Sequence, residues 1–105
     1  GLRIMQQRTF ADQTTSDTVS PLATTACFAV RANAEPGVVP RVLELFAKRN
    51  LVPTRLYAVQ EGSDSVVIDI QMANMLQPER EYLAACMRQI YDVCTVLTSE
   101  KAAVI

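Results

Sequence analysis

From Thr25 onward, apolar and polar residues alternate with the two-residue period of a strand. Ala26, Phe28, Val30 and Ala32 fall on one face, and Cys27, Ala29, Arg31 and Asn33 on the other. The period then lengthens: Val39, Val42, Leu43 and Phe46 stand at i, i+3, i+4 and i+7, the stripe of an amphipathic helix running to about Asn50. Its far side carries Arg41, Glu44, Lys48 and Arg49, and Pro40 sits in the first turn, where a missing N–H is harmless. Leu51 to Gln60 predicts a second strand. Pro53 near its start places that strand at a sheet edge, because proline cannot donate to a ladder. The cluster Glu61-Gly62-Ser63-Asp64 predicts a hairpin turn, after which Val66, Ile68, Ile70 and Met72 face one way and Asp69 and Gln71 the other. A second helix starts near Pro78, with Glu79 and Glu81 in its first turn and the stripe Leu83, Cys86, Met87 and Ile90. A last strand spans roughly Asp92 to Thr98.

The order is β-α-β-β-α-β, which predicts an α+β, ferredoxin-like sandwich: a four-stranded antiparallel sheet with two helices on one face. The folded unit is expected over residues 25–99. Residues 1–24, rich in Gln, Ser and Thr without periodicity, predict a flexible tail, with a short edge strand through Leu2, Ile4 and Met5 as the alternative. Residues 100–105 predict a second, short tail that frays or extends the last strand.

Composition narrows the function. The 105 residues suffice for one domain, and a formal net charge of -1 with a sequence pI near 5.3 leaves no basic stripe to neutralise phosphates, so nucleic acid is not an expected partner. Cys27, Cys86 and Cys94 are odd in number and far apart, and there is no histidine to complete a zinc site or a nucleophile–base pair. They read as small buried hydrophobes of a reduced protein. No metal and no cofactor is expected. No apolar run approaches the ~20 residues of a membrane span, and the first residues lack a basic-then-apolar leader, so the expected location is cytoplasmic, with no membrane partner.

Catalytic groups are scarce. Asp64, Asp69 and Asp92 fall on turns or on the open face, not as a convergent acid–base pair. Arg31 and Asn33, both on the open face of the first strand, are the pair a ferredoxin-like acyl phosphatase would aim at phosphate; the other reading makes them solvated surface positions. No residue is assigned to catalysis, and the expectation is a non-enzyme.

Two features remain. At Glu35-Pro36-Gly37-Val38-Val39 a strand turns into a helix; Gly37 permits a positive φ or the close approach of a ligand, and the helix behind it offers unpaired N–H groups that suit a carboxylate. Farther on, Leu56, Tyr57 and Val59 form an apolar edge that invites pairing with a second copy, unless Pro53 or the N-terminal tail blunts it.

These residues carry a resemblance. Glu35-Pro36-Gly37-Val38-Val39, the helix positions Val42 and Phe46, and the exit Leu51-Val52 into Arg55-Leu56-Tyr57 resemble the ACT domain, a small regulatory module with this element order. Arg41-Val42 and the basic pair Lys48-Arg49 are similar to the small regulatory subunits of acetolactate synthase. The resemblance spans about residues 25–98. It implies a homodimer joined through the sheet edge, an amino-acid effector bound at Glu35, Pro36, Gly37, Val38 and Val39, and the catalytic subunit of a biosynthetic enzyme as a partner, acetolactate synthase in branched-chain amino acid biosynthesis being the specific expectation. Ala34 stands where many ligand-binding members carry Asn or Asp. A module of the same fold used only for dimerisation or interaction is the alternative.

Overall fold

In chain order the elements are β1 (Thr24–Asn33), α1 (Val38–Ala47), β2 (Arg55–Glu61), β3 (Ser65–Ala73), α2 (Gln77–Arg88) and β4 (Val93–Ala102). The computed structural model describes residues 24–102, so the expected N-terminal tail, Thr24 excepted, and residues 103–105 lie outside the described residues. The four strands form one antiparallel sheet in the order β2-β3-β1-β4, and with its two helices the chain has the expected ferredoxin-like βαββαβ fold. The last strand runs through Ala102 because Thr24 and Thr25 at the start of β1 pair with Ala102 and Lys101. That takes it past the expected end near Thr98, in keeping with the reading in which residues after 99 extend the last strand.

β1 sits at the centre, and its alternation decides the core. Phe28 lies opposite Ile70 and Val30 opposite Ile68, and these side chains, with Ala26 and Ala32, are fully buried. From α1, Val38, Val42 and Phe46 reach the same core, and the Phe46 ring meets Phe28 edge-to-face with centroids 5.7 Å apart. Such a pair contributes about 0.5–1.5 kcal/mol beyond the area it buries. From α2 come Leu83, Ala84 and Met87, and from β4 Val96.

Helix ends explain where the predicted stripes drift. α1 stops at Ala47, short of Asn50, because Asn50 takes a left-handed φ of 64° and the chain closes back: Asn50 N–H bonds the Ala47 carbonyl at 3.0 Å and Leu51 N–H bonds the Phe46 carbonyl at 2.9 Å. This is a Schellman closure, with asparagine in the place glycine often takes. The buried stripe therefore runs through Val38, Val42 and Phe46, while Leu43 is half-buried at the flank. In α2 the buried small residue is Ala84, whereas Cys27 and Cys86 are half-buried and Cys94 is exposed, so none of the three cysteines is the fully buried hydrophobe expected.

Among the described residues, Arg80 is the one buried charged side chain, 8% exposed. Its Nε donates to Glu81 Oε2 at 3.2 Å and its Nη1 lies 3.5 Å from Glu100 Oε2, tying α2 to β4. Arg49, in the turn just after α1, stacks over the Tyr82 ring of α2 at 4.3 Å.

The helices do not cover the whole sheet. Every residue of β2 is exposed, on both faces. Leu56, Ala58 and Gln60 lie opposite the buried Ile70, Ile68 and Val66 and so face the helix side, yet all three stay exposed, Leu56 at 43%.

A candidate ligand site at the first strand-to-helix turn

The end of β1 is held from two sides. Asn33 N–H bonds the Asp92 carbonyl at 2.8 Å, and Ala34 N–H bonds the Asp64 carbonyl at 2.9 Å. Glu35 to Val38 then forms a tight turn closed by Val38 N–H to the Glu35 carbonyl at 3.0 Å, and Arg41 N–H bonds the Gly37 carbonyl at 3.1 Å as the first helical bond. Proline at 36 presets the first turning residue, and Pro40 has no N–H to lose. Among the described residues, the N–H groups of Gly37 and Val39 have no hydrogen-bond partner. They are the free donors at the helix start.

Gly37 does not use a positive φ; it stands at φ -87°, ψ -3°, ordinary helical values. The glycine answers a different need. The guanidinium of Arg41 folds back over it, with Nη1 only 3.0 Å from where a Cβ would stand. Arg41, which helical periodicity assigns to the far side of α1, thus sets a fixed positive charge beside the helix start, and the two together favour an anion there.

Behind the turn is a cavity of about 360 Å³, lined by Glu35, Pro36, Val38 and Val39 together with Ala34, Gln60 and Val66. Four of the five residues expected from sequence line this one space; Gly37 does not, and Arg41 lines a separate hollow with Pro40, Leu43, Glu44 and Ala47. Val38, Val39 and Val66 make the apolar part. Ala34 brings no polar side chain, but Gln60 on β2 brings an amide and Glu35 a carboxylate. Gln60 has no sequence signal beyond its place in a strand; only the register Gln60 to Val66 brings it here.

The groups of the phosphatase reading are engaged elsewhere. Arg31 Nη1 pairs with Glu61 Oε1 at 3.0 Å, and Asn33 Nδ2 donates to Asp92 Oδ1 at 3.4 Å while its Oδ1 accepts from the Cys94 thiol at 3.5 Å. Among the described residues, no group of His, Cys, Asp or Glu side chains could hold a metal ion, and no helix is long and apolar enough to cross a membrane.

Comparison with known proteins places this architecture. The crystal structure of the ACT domain from the GTP pyrophosphokinase of Chlorobium tepidum superposes with a TM-score of 0.62 at 11% identity, covering 71% of this chain and 96% of that one. The C-terminal domain of the MgtC protein from Mycobacterium tuberculosis gives 0.61 at 12% identity, covering 76% and 89%. A formyltetrahydrofolate deformylase from Pseudomonas putida KT2440 gives 0.54 at 11% identity, covering 74% of this chain but 28% of the enzyme. At these identities the likeness is one of fold, and none of the three is an acetolactate synthase subunit. No curated protein matches the sequence. Residues 20–104, however, match the ACT-like domain family over most of the chain, so the chain belongs to that family.

Proposed function

We propose that this chain is a regulatory module that binds a small amino acid with an apolar side chain at the first strand-to-helix turn, acting as a homodimer paired through β2. The observation that carries the reading is the cavity behind Glu35–Val39, apolar within and bearing the Glu35 carboxylate and the Gln60 amide on its lining, with the Arg41 guanidinium next to Gly37 at the helix start. A ligand carboxylate fits the free N–H groups of Gly37 and Val39 and the nearby Arg41 guanidinium. Its ammonium fits Glu35 or the side-chain carbonyl of Gln60, in the place Ala34 leaves without a polar group. Val38, Val39 and Val66 suit an aliphatic side chain.

Pairing through β2 is supported by the uncovered strand itself. Its helix-side residues leave an apolar groove along α1, lined by Leu43, Phe46, Leu51, Val52 and Leu56. A second copy added at the edge would extend the ladder and cover that groove. Since Gln60 belongs to the same strand, pairing would also close one side of the cavity. Replacing Leu56 with lysine should leave the fold intact and turn a dimer into a monomer by sedimentation.

The finer expectation, a branched-chain amino acid acting on an acetolactate synthase catalytic subunit, is supported by the sequence resemblance at Arg41-Val42 and Lys48-Arg49 alone. Whatever the partner, the effector must bind two states of the complex with different affinity to shift between them. The deciding test is a thermal-shift screen against the common amino acids. A ligand at about a hundred times its Kd adds roughly 2.7 kcal/mol to the native state, a rise of several degrees for a small domain. The rise should vanish in Arg41→Ala and shrink in Gln60→Ala. No response from a folded dimer would reject the sensing role and leave the interaction module.

A further inference from the structure

The sheet face opposite the helices has no layer over it among the described residues, yet it is not a polar surface. Leu97 is 70% exposed and Tyr57 55%, with Val59 and Ala29 exposed between and beside them. The register sets these side chains in rows: Tyr57, Asp69, Ala29 and Leu97 lie side by side across all four strands, and Val59, Val67, Arg31 and Thr95 form the next row. A trough of about 740 Å³ runs across the face between Tyr57 and Leu97. All its walls belong to one sheet. A small molecule lying there would stay wet on one side, whereas small-molecule sites bury about 70–90% of their ligand. The trough suits a broad partner instead.

Charge says which one. Arg31 is already paired with Glu61 on this face, but among the described residues the side chains of Arg55 and Asp69 make no ion pair or hydrogen bond. They sit on neighbouring strands one residue pair apart, Arg55 opposite Gln71 and Tyr57 opposite Asp69. A twofold axis crossing the strands between these two rows would lay β2 over β2 and β3 over β3. It would set each Arg55 over Tyr57 of a second copy, one strand away from that copy's Asp69 and so diagonally opposite it. Sheets packed in this way stand about 10 Å apart, within reach of an arginine and an aspartate from opposite sides.

Area fixes the stoichiometry. Four strands ~4.8 Å apart and about seven residues of ~3.3 Å each outline roughly 440 Å² per copy, so two single domains would bury about 900 Å². That falls short of the roughly 1,200 Å² a stable interface needs, while two edge-paired dimers would bury about 1,800 Å², well within the range. We infer that the open face is a docking surface for a second copy of this chain, two edge-paired dimers stacking sheet to sheet into a tetramer. The inference rests on the edge pairing proposed above.

The test is sedimentation equilibrium of the full chain over a wide micromolar range, with circular dichroism to show that each variant is folded. The wild type should pass from dimer to tetramer. Arg55→Asp and Asp69→Arg should each weaken that step at least about tenfold and leave the dimer unchanged, the double swap should restore it, and Leu97→Arg should stop assembly at the dimer. A wild type that remains a dimer, or a tetramer indifferent to all four variants, overturns the stacked face while sparing edge pairing, and hands the face to a different protein or a ligand. A dimer that survives Leu56→Lys but is lost in Leu97→Arg overturns edge pairing instead. A monomer at every concentration overturns both.

Discussion

Asn50 holds a left-handed backbone at φ 64° so that Leu51 can turn back onto Phe46, and its short polar side chain makes that conformation tolerable. Asn50→Ala should lower stability by about 1 kcal/mol, read as a lower urea midpoint at constant slope, and Asn50→Gly should change it by only a few tenths. Gly37 is the opposite case. Its φ is ordinary, so Gly37→Ala should change stability by under about 1 kcal/mol, the new methyl pressing only on the tip of Arg41. It should nevertheless weaken any amino-acid response in the thermal-shift assay by displacing that guanidinium. The turn itself was legible in Pro36-Gly37, but the reason for the glycine was not. A long arginine four residues into a helix can point outward or fold back over the first turn, and periodicity alone favours outward. Gln60 was illegible for a related reason: a strand glutamine becomes a cavity wall only through the register with Val66.

At the scale of elements, period carried most of the information. The alternation of Ala26, Phe28, Val30 and Ala32 names the buried face of β1 correctly, and Val42, Phe46, Leu83 and Met87 are core residues as their spacing predicts. The misplacements fall where one face gives way to another. Leu43 and Leu45 flank the α1 stripe on either side, and both are half-buried, because the helix starts at Val38 and its axis turns the stripe toward that residue. Phe46→Ala should therefore cost about 3–5 kcal/mol in chemical unfolding, and Leu43→Ala well under half as much. Arg80 escapes a hydrophobic pattern altogether. Its aliphatic stem fills a core position while two carboxylates, Glu81 and Glu100, take its charge, an arrangement that needs β4 to be present before it can be seen.

Across the whole molecule, the order β-α-β-β-α-β sufficed to place the strands, because two strand–helix–strand halves with both helices on one side admit few other antiparallel sheets. How far two short helices would reach across that sheet was not legible. Coverage depends on helix length and packing, and these leave β2 bare. The topology also makes β1 depend on partners distant in sequence, since Thr24 pairs with Ala102. Removing residues 93–102 should abolish cooperative unfolding in a thermal melt, because it strips β1 of one ladder and the core of Val96. The same distant pairing predicts refolding in milliseconds to seconds, measurable by stopped flow. One side chain joins the remaining themes. Gln60 is at once a wall of the turn cavity and a residue of the exposed edge strand, so in the proposed dimer, where pairing closes one side of the cavity, occupancy and pairing would strengthen each other by the same factor. Dilution then acts as an antagonist. An amino-acid concentration that saturates the proposed dimer in a crowded cell would leave much of it empty in a thin solution, and abundance of the module would become part of the signal.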